Sequence, residues 1–199
     1  IRLCQLVNLM ENGKPVKMSK RAGTFVTVRD VIDAVGADVI RFIMLTRRSD
    51  QTLDFDYAKV TEQSRDNPVF YVQYAHARAS SVLRQPGING EDVTGAGDAA
   101  LDRLTAPAEM AVIKALASWP RLVVSAAQSH EPHRVAFYLM DLAASFHALW
   151  TAGREAPELR FIRDDDAGLT SARLCLVKAT ALVIRSGLGV LSIQAREEM

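Results

Sequence analysis

Apolar and polar positions along the chain change period from one stretch to the next, and those changes predict its elements. Leu3 to Met10 is a short apolar run followed by Asn12-Gly13, a strong tight-turn pair, so the chain opens with a short hairpin. Val16 and Lys17 lead from it into a loop reaching about Val26. Thr27-Val28-Arg29-Asp30 has the spacing of a capping box, with Asp in place of the usual Glu, and predicts a helix from Val28 to Val35 stopped by Gly36. A second helix, Ala37 to Arg47, carries Val39, Ile40, Phe42, Ile43 and Leu45 and should be well buried. Asp54-Phe55-Asp56 is expected to cap a third helix, reaching roughly Arg65.

Asp66-Asn67-Pro68 interrupts the pattern. Proline disfavours helical geometry at Asn67 and suits the first turn of a new helix, which then runs unbroken to about Leu83. Gln85 to Gly97 is rich in glycine and reads as a loop. Everything after it is helical: Ala99 to Leu104, Ala108 to Ala117, Pro120 to Ser129, Pro132 to Gly153, and Leu169 to Ser186, the last stopped by Gly187-Leu188-Gly189. Residues 154 to 168 read as a polar surface loop. The predicted fold is mainly α, an antiparallel helix bundle preceded by a short hairpin and loop.

Composition narrows the function classes. With 49% hydrophobic and 24% charged residues the chain is globular rather than disordered. A net charge of +1 gives no global basic field, so any RNA contact must be local, on an arginine-bearing face. Cys4 and Cys175 lie far apart in apolar runs and read as two buried thiols in a reducing cytoplasm. No CxxC or Cys/His cluster supports a metal site. No apolar stretch reaches membrane-span length and no signal peptide is visible.

The most chemically pointed segment is Lys17-Met18-Ser19-Lys20-Arg21-Ala22-Gly23. Two lysines flanking a serine, with a glycine closing the loop, suit a polyphosphate. Lys17 and Lys20 would stabilise negative charge developing on a triphosphate attacked at its α-phosphorus, with Met18 as an apolar plug. A solvated basic turn is the bland alternative; the hairpin before and the helix after favour phosphate. Sixteen upstream residues cannot build a nucleotide pocket, so the chain reads as part of a larger enzyme.

Tyr71, Tyr74 and Arg78 follow i, i+3, i+7 spacing and share one helix face. Tyrosines so spaced are often core residues with surface hydroxyls. An arginine in line with them also resembles a platform for unstacked bases. His76 points elsewhere, as a structural histidine. Phe146 and Trp150 are i, i+4 neighbours, and Trp150 reads as core. His130 and His133 lack ligand spacing, and Asp164-Asp165-Asp166 reads as a solvated turn rather than a calcium loop. Arg47 and Arg48 complement a helix C-terminus, or touch an RNA backbone.

Val16 to Gly23, followed by Phe25-Val26-Thr27-Val28-Arg29-Asp30, resembles the second signature of class I aminoacyl-tRNA synthetases in its arginyl form. Asp66-Asn67-Pro68-Val69-Phe70-Tyr71-Val72-Gln73-Tyr74-Ala75-His76-Ala77-Arg78 is similar to the start of that family's anticodon-binding domain, a bundle named for its Asp-Ala-Leu-Arg signature. Leu188-Gly189-Val190-Leu191 and Arg196-Glu197-Glu198-Met199 are similar to the family's ending. The resemblance implies three parts: residues 1–28, the end of a Rossmann-like catalytic domain; 29–66, a connecting helical region against the tRNA stem; and 67–199, the anticodon-binding bundle.

It implies further that the parent protein ligates arginine to its tRNA using ATP with Mg2+, in the cytoplasm and as a monomer. Lys17, Met18, Ser19 and Lys20 would close over ATP, with Lys17 and Lys20 catalytic. Tyr71, Tyr74, Arg78, Phe146 and Met199 would meet the anticodon of tRNA(Arg). The His-Ile-Gly-His-type signature and the arginine pocket are absent, so this chain alone is expected to bind neither ATP nor arginine and to be inactive. The rival readings are a stand-alone RNA-binding helical module, another class I synthetase with the same bundle, and a purely structural bundle in which Tyr71 and Arg78 are buried.

Overall fold

The computed structural model describes residues 4–16, 25–56, 60, 67–88 and 100–199. Asn12 and Gly13 both take positive φ, 51° and 76°, the backbone that a two-residue hairpin turn requires. Strands β1 (Val7–Glu11) and β2 (Lys14–Pro15) pair antiparallel across it. The Lys17–Lys20 loop lies outside the described residues.

Asp54-Phe55-Asp56 departs from expectation. It belongs to a strand, β3 (Leu53–Asp56), which pairs parallel with β1 and completes the order β2-β1-β3. Leu53 and Phe55 alternate inward and are buried, the period-2 pattern of a half-buried strand. The Asp56 carboxylate accepts from the backbone N–H groups of Asn12 (3.1 Å) and Gly13 (2.7 Å) and so braces the hairpin turn instead of capping a helix. Most of the predicted third helix falls outside the described residues.

Between the strands lie α1 (Val28–Val35) and α2 (Ala37–Leu45). The capping box forms as read: Thr27 Oγ1 accepts from the Asp30 N–H, and the Asp30 carboxylate accepts from the Thr27 N–H at 2.7 Å. The Thr27 hydroxyl also donates to the Asp30 carboxylate at 2.7 Å, and this bond first, then that from the Thr27 N–H, holds the Asp30 carboxyl below its ordinary range. Gly36 (φ 87°) turns the corner into α2, whose Val39 and Phe42 enter the core.

The bundle comprises α3 (Pro68–Leu83), α4 (Pro107–Ser129), α5 (His133–Glu155) and α6 (Ala167–Val190), with short 3-10 turns at Leu101–Arg103 and Pro157–Leu159. Asn67 caps α3 in extended geometry and Pro68 opens its first turn. Helix α4 packs along α5, α3 along α6, and α5 against both α3 and α6. Leu139, Leu142, Phe146, Ile184 and Leu188 are fully buried where these helices meet.

Two predicted breaks do not occur. Pro120 lies within the single continuous helix α4, exposed, at the cost of one N–H donor. Helix α5 ties the adjoining turn down: the Tyr138 hydroxyl donates to the Ala115 carbonyl (3.0 Å) and its ring stacks on Trp119 at 5.1 Å. Burial pushes the Tyr138 phenol up to about 12, so it remains a donor. Helix α6 likewise continues through Gly187 and Gly189. A Cβ built on Gly187 would sit 2.6 Å from Leu139 Cδ2, so this glycine serves close approach of α5 to α6.

Two compositional expectations also change. Against the expectation that no apolar stretch reaches membrane-span length, α4, α5 and α6 could each cross a membrane by length and composition; α4 reaches that length because Pro120 does not break it. Half of the apolar window in α5 and in α6 is buried inside the bundle. Cys4 is exposed rather than buried, and Cys175 is half-buried; both are free.

Past α6, the chain end is strapped across α2 and α3 by one bond after another. Arg41 Nη1 donates to the Ser192 carbonyl (2.9 Å), Gln73 Nε2 to Gln194 (2.9 Å), His76 Nδ1 to Arg196 (2.8 Å) and Arg84 Nη2 to Glu197 (3.0 Å). Burial holds His76 below its ordinary value, which suits a neutral donor at Nδ1. This strap fixes where Met199 ends.

Candidate functional site

Helix α3, α5 and the strapped tail enclose a cavity of about 1110 Å³. Tyr74 and Arg78 line it from α3, Trp150 and Arg154 from α5, and Met199 from the tail. Arg84 and Arg160 also line it, so four arginines share the cavity with two glutamates, Glu197 and Glu198. A chain with almost no net charge thus concentrates positive charge at one place.

Arg78 is the centre of the arrangement. Its guanidinium carbon lies 4.2 Å from the Tyr74 ring centroid and 5.0 Å from that of Trp150, held against two π faces. Nη1 lies 3.0 Å from His147 Nδ1, while Nε is buried with no hydrogen-bond partner. Aromatic faces and the Nη groups of a guanidinium can stack on flat, unpaired bases and donate to their acceptor edges.

The residues read from sequence fall into three groups. Tyr74, Arg78 and Met199 meet at the cavity; Tyr74 is 37% and Met199 57% exposed. Tyr71 is half-buried beside it, its ring 4.6 Å from that of His147. Tyr71 and Arg78 are therefore neither fully buried, as a purely structural bundle requires, nor freely exposed as one flat platform. Phe146 is the correction: its exposure is 0%, and it packs in the core against Phe161 (5.8 Å) and Trp150 (6.4 Å). Trp150, expected in the core, is half-buried and faces the cavity one turn further on.

That exchange has a physical reason. Residues four apart on a helix differ by only a small rotation, so spacing does not tell which of the two is deeper. Chemistry does: phenylalanine has no polar atom, whereas tryptophan is large, carries an N–H and is rarely buried completely. Sequence reading also missed His147, Arg84, Arg154, Arg160 and Phe161, which converge from separate segments.

A buried pair fixes the cavity wall behind Arg160 and Phe161. Arg173 Nε donates to Glu109 Oε1 at 2.7 Å, and Arg173 Nη1 donates to the carbonyls of Glu158 and Arg160, each at 2.7 Å. Glu109 also accepts from the Ala106 N–H at the start of α4 (3.0 Å). Asp166, which caps α6 through the Leu169 N–H, is held down to about 2, first by its hydrogen bonds with Arg103. Asp165 pairs with Arg163.

Comparison with known proteins gives a consistent result. The family described as DALR anticodon binding domain matches residues 72–199. Over its whole length the chain is 58% identical to the arginine–tRNA ligases of Rhodospirillum rubrum and Ruegeria pomeroyi, covering 34% and 35% of those proteins. The chain thus spans about a third of the length of these curated relatives. Among solved structures, a Campylobacter jejuni chain superposes with a TM-score of 0.83 at 28% identity, over 99% of this chain and 40% of that one. The Thermus thermophilus arginyl-tRNA synthetase gives 0.73 at 29% identity, over 98% and 35%.

Proposed function

We propose, on the premise that the chain belongs to the DALR anticodon binding domain family, that it is the RNA-reading part of an arginine–tRNA ligase. The groove between α3, α5 and the tail seats the anticodon of tRNA(Arg). The observation that carries this reading is the Arg78 guanidinium held between Tyr74 and Trp150 in an arginine-lined cavity.

Single-stranded anticodon bases have exposed π faces and free Watson–Crick edges. Tyr74 and Trp150 offer surfaces for stacking, each worth roughly 1–3 kcal/mol. Arg78 offers N–H donors to a base edge, while Arg84, Arg154 and Arg160 are placed for phosphates. Met199 is a soft apolar contact that adapts to a base. Tyr71 supports the face from beneath, and Phe146 acts only through the core.

In the whole protein, Lys17, Met18, Ser19 and Lys20 close over ATP, and Lys17 and Lys20 stabilise charge on its phosphates. Mg2+ would supply further charge neutralisation there when bound. Residues 1–28 then belong to the catalytic part, 29–66 connect it along the tRNA stem and 67–199 read the anticodon. The parent acts as a cytoplasmic monomer.

A titration of this chain with tRNA(Arg) and a non-cognate tRNA at one fixed salt concentration tests the reading. Tighter binding of tRNA(Arg) is expected, with Trp150→Ala and Arg78→Ala each weakening it about tenfold while the helical signal is unchanged. Equal affinity for the two tRNAs, or unaltered affinity in both variants, overturns it.

A further inference from the structure

His147 lies behind the recognition face, only 8% exposed, yet each of the three α3 residues of that face touches it. The Arg78 guanidinium meets its Nδ1 at 3.0 Å and the Tyr71 carbonyl meets its Nε2 at 3.2 Å. The Tyr71 and Tyr74 rings lie 4.6 and 5.7 Å from the imidazole.

These two polar contacts leave one protonation state. A guanidinium only donates and keeps its proton, so Nδ1 must accept. A carbonyl only accepts, so Nε2 must carry the hydrogen. The ring is neutral and held as the Nε2–H tautomer by a bond at each nitrogen.

We infer that neutral His147 is the positioning residue of the anticodon face: it orients Arg78 between Tyr74 and Trp150, and its protonation takes that orientation apart. The inference rests on the reading of this face as RNA-binding and assigns how its central donor is set.

The long Arg78 side chain needs such an anchor, because its many rotamers must be reduced to one before a base arrives. Among the described residues, the guanidinium makes its hydrogen bond to His147, and the aromatic faces alone do not fix its in-plane rotation. A proton on Nδ1 would replace the accepted bond by two cations at contact distance. Arg78 is the cation that faces His147, from α3; Arg154 and Arg160 line the cavity on which Arg78 opens, from α5 and the segment after it. The tail carboxylate of Glu197 faces the cavity but is directed to Arg84 and Arg185, and that of Glu198 to Arg84.

The sign of the pH effect separates positioning from simple charge. A histidine that merely added to a basic groove would tighten RNA binding as it gained a proton. A histidine that positions Arg78 as a neutral acceptor must weaken binding over the same range.

The test has two arms on the 199-residue chain. Long-range proton–nitrogen NMR of the free protein at pH 7.5 should show His147 as the Nε2–H tautomer. Anisotropy titration with a hairpin RNA carrying an arginine anticodon arm, at fixed salt, should show affinity falling about threefold between pH 7.5 and 5.5. His147→Gln keeps an acceptor and a donor but cannot titrate; it should bind within about threefold of the parent at pH 7.5 and lose the pH dependence. His147→Leu should bind about tenfold more weakly at every pH.

An Nδ1–H tautomer, tighter binding at low pH, or a pH dependence that survives in His147→Gln overturns the assignment. The two readings fail separately. Wild-type chain that binds no RNA at any pH, with the tautomer as expected, removes the RNA reading and with it the role given to His147. Normal RNA binding with the wrong tautomer removes only the role of His147.

Discussion

The bundle and the sheet end of this molecule are held together by different means. From Val135 to Gly153 every turn of α5 puts at least one side chain into the interior, and α6 does the same from Leu169 to Leu188. At the sheet end, α1 buries none of its residues, and Leu6, Phe25 and Val28 are 76%, 51% and 74% exposed. Beside the buried Leu53 and Phe55 of β3, polar and turn geometry carries much of that end: the Asp56 brace on the hairpin, the Thr27–Asp30 box, and the Asn8–Asp54 bond of 2.8 Å between β1 and β3. Apolar packing scales with area, so stability should reside in α3 to α6, and the sheet end should tolerate change.

The sharpest contrast comes from Phe146→Ala, which empties a fully buried site between α5 and the Phe161 segment. A loss of about 3–5 kcal/mol in urea unfolding is expected. If Phe146 instead acted directly on RNA, the variant would lose affinity while keeping its unfolding midpoint. Arg173→Met should cost a comparable amount, about 3–5 kcal/mol, because it leaves the Glu109 carboxylate buried without its cation. The double variant Arg173→Met, Glu109→Met removes both charges and should recover much of that loss. Hydrogen exchange should quicken around Glu158 to Arg160, whose carbonyls Arg173 holds; unchanged exchange there would mean that the cavity wall does not depend on this pair.

Gly187→Ala tests a smaller contact of the same kind. Its Cβ would press on Leu139, which is fully buried and cannot swing away, so a cost of about 1–3 kcal/mol is expected. Shortening Leu139 to valine in the same chain should restore part of it. Thermal unfolding of the single and double variants measures both.

Legibility in the sequence follows the range of the deciding contact. Asn12-Gly13, Thr27 to Asp30 and Asn67-Pro68 are decided by neighbours a few residues away, and each forms as read. Strand β3 is decided by its pairing with Val7 to Met10, and its four residues are too few to display their period against an Asp-Phe-Asp that also suits a cap. Pro120 and Gly187 read as breaks because the contacts that override them, with Tyr138 and Leu139, lie on another helix. The site divides in the same way. The face carrying Tyr74 and Arg78 is legible from spacing, whereas the inversion of Phe146 and Trp150 and the placement of His147 depend on how deeply α5 sits against α3.

The smallest expected effect closes the contrast between the two ends. Leu6→Ser and Val28→Ser replace large, exposed apolar side chains, and surface changes of this kind shift stability by no more than about 0.5 kcal/mol. The bonds Leu6 makes with the sheet are backbone bonds, such as Leu53 N–H to the Leu6 carbonyl at 3.3 Å, and survive the substitution. Val28 stands just inside the capping box, whose hydrogen bonds are made by Thr27 and Asp30. Among the described residues, α2 carries this end into the bundle through the buried Val39 and Phe42, and neither substitution touches them. A double variant that unfolds in urea as early as Gly187→Ala would therefore mean that the exposed apolar residues are coupled to the core through α2, and the division between the two ends would be wrong.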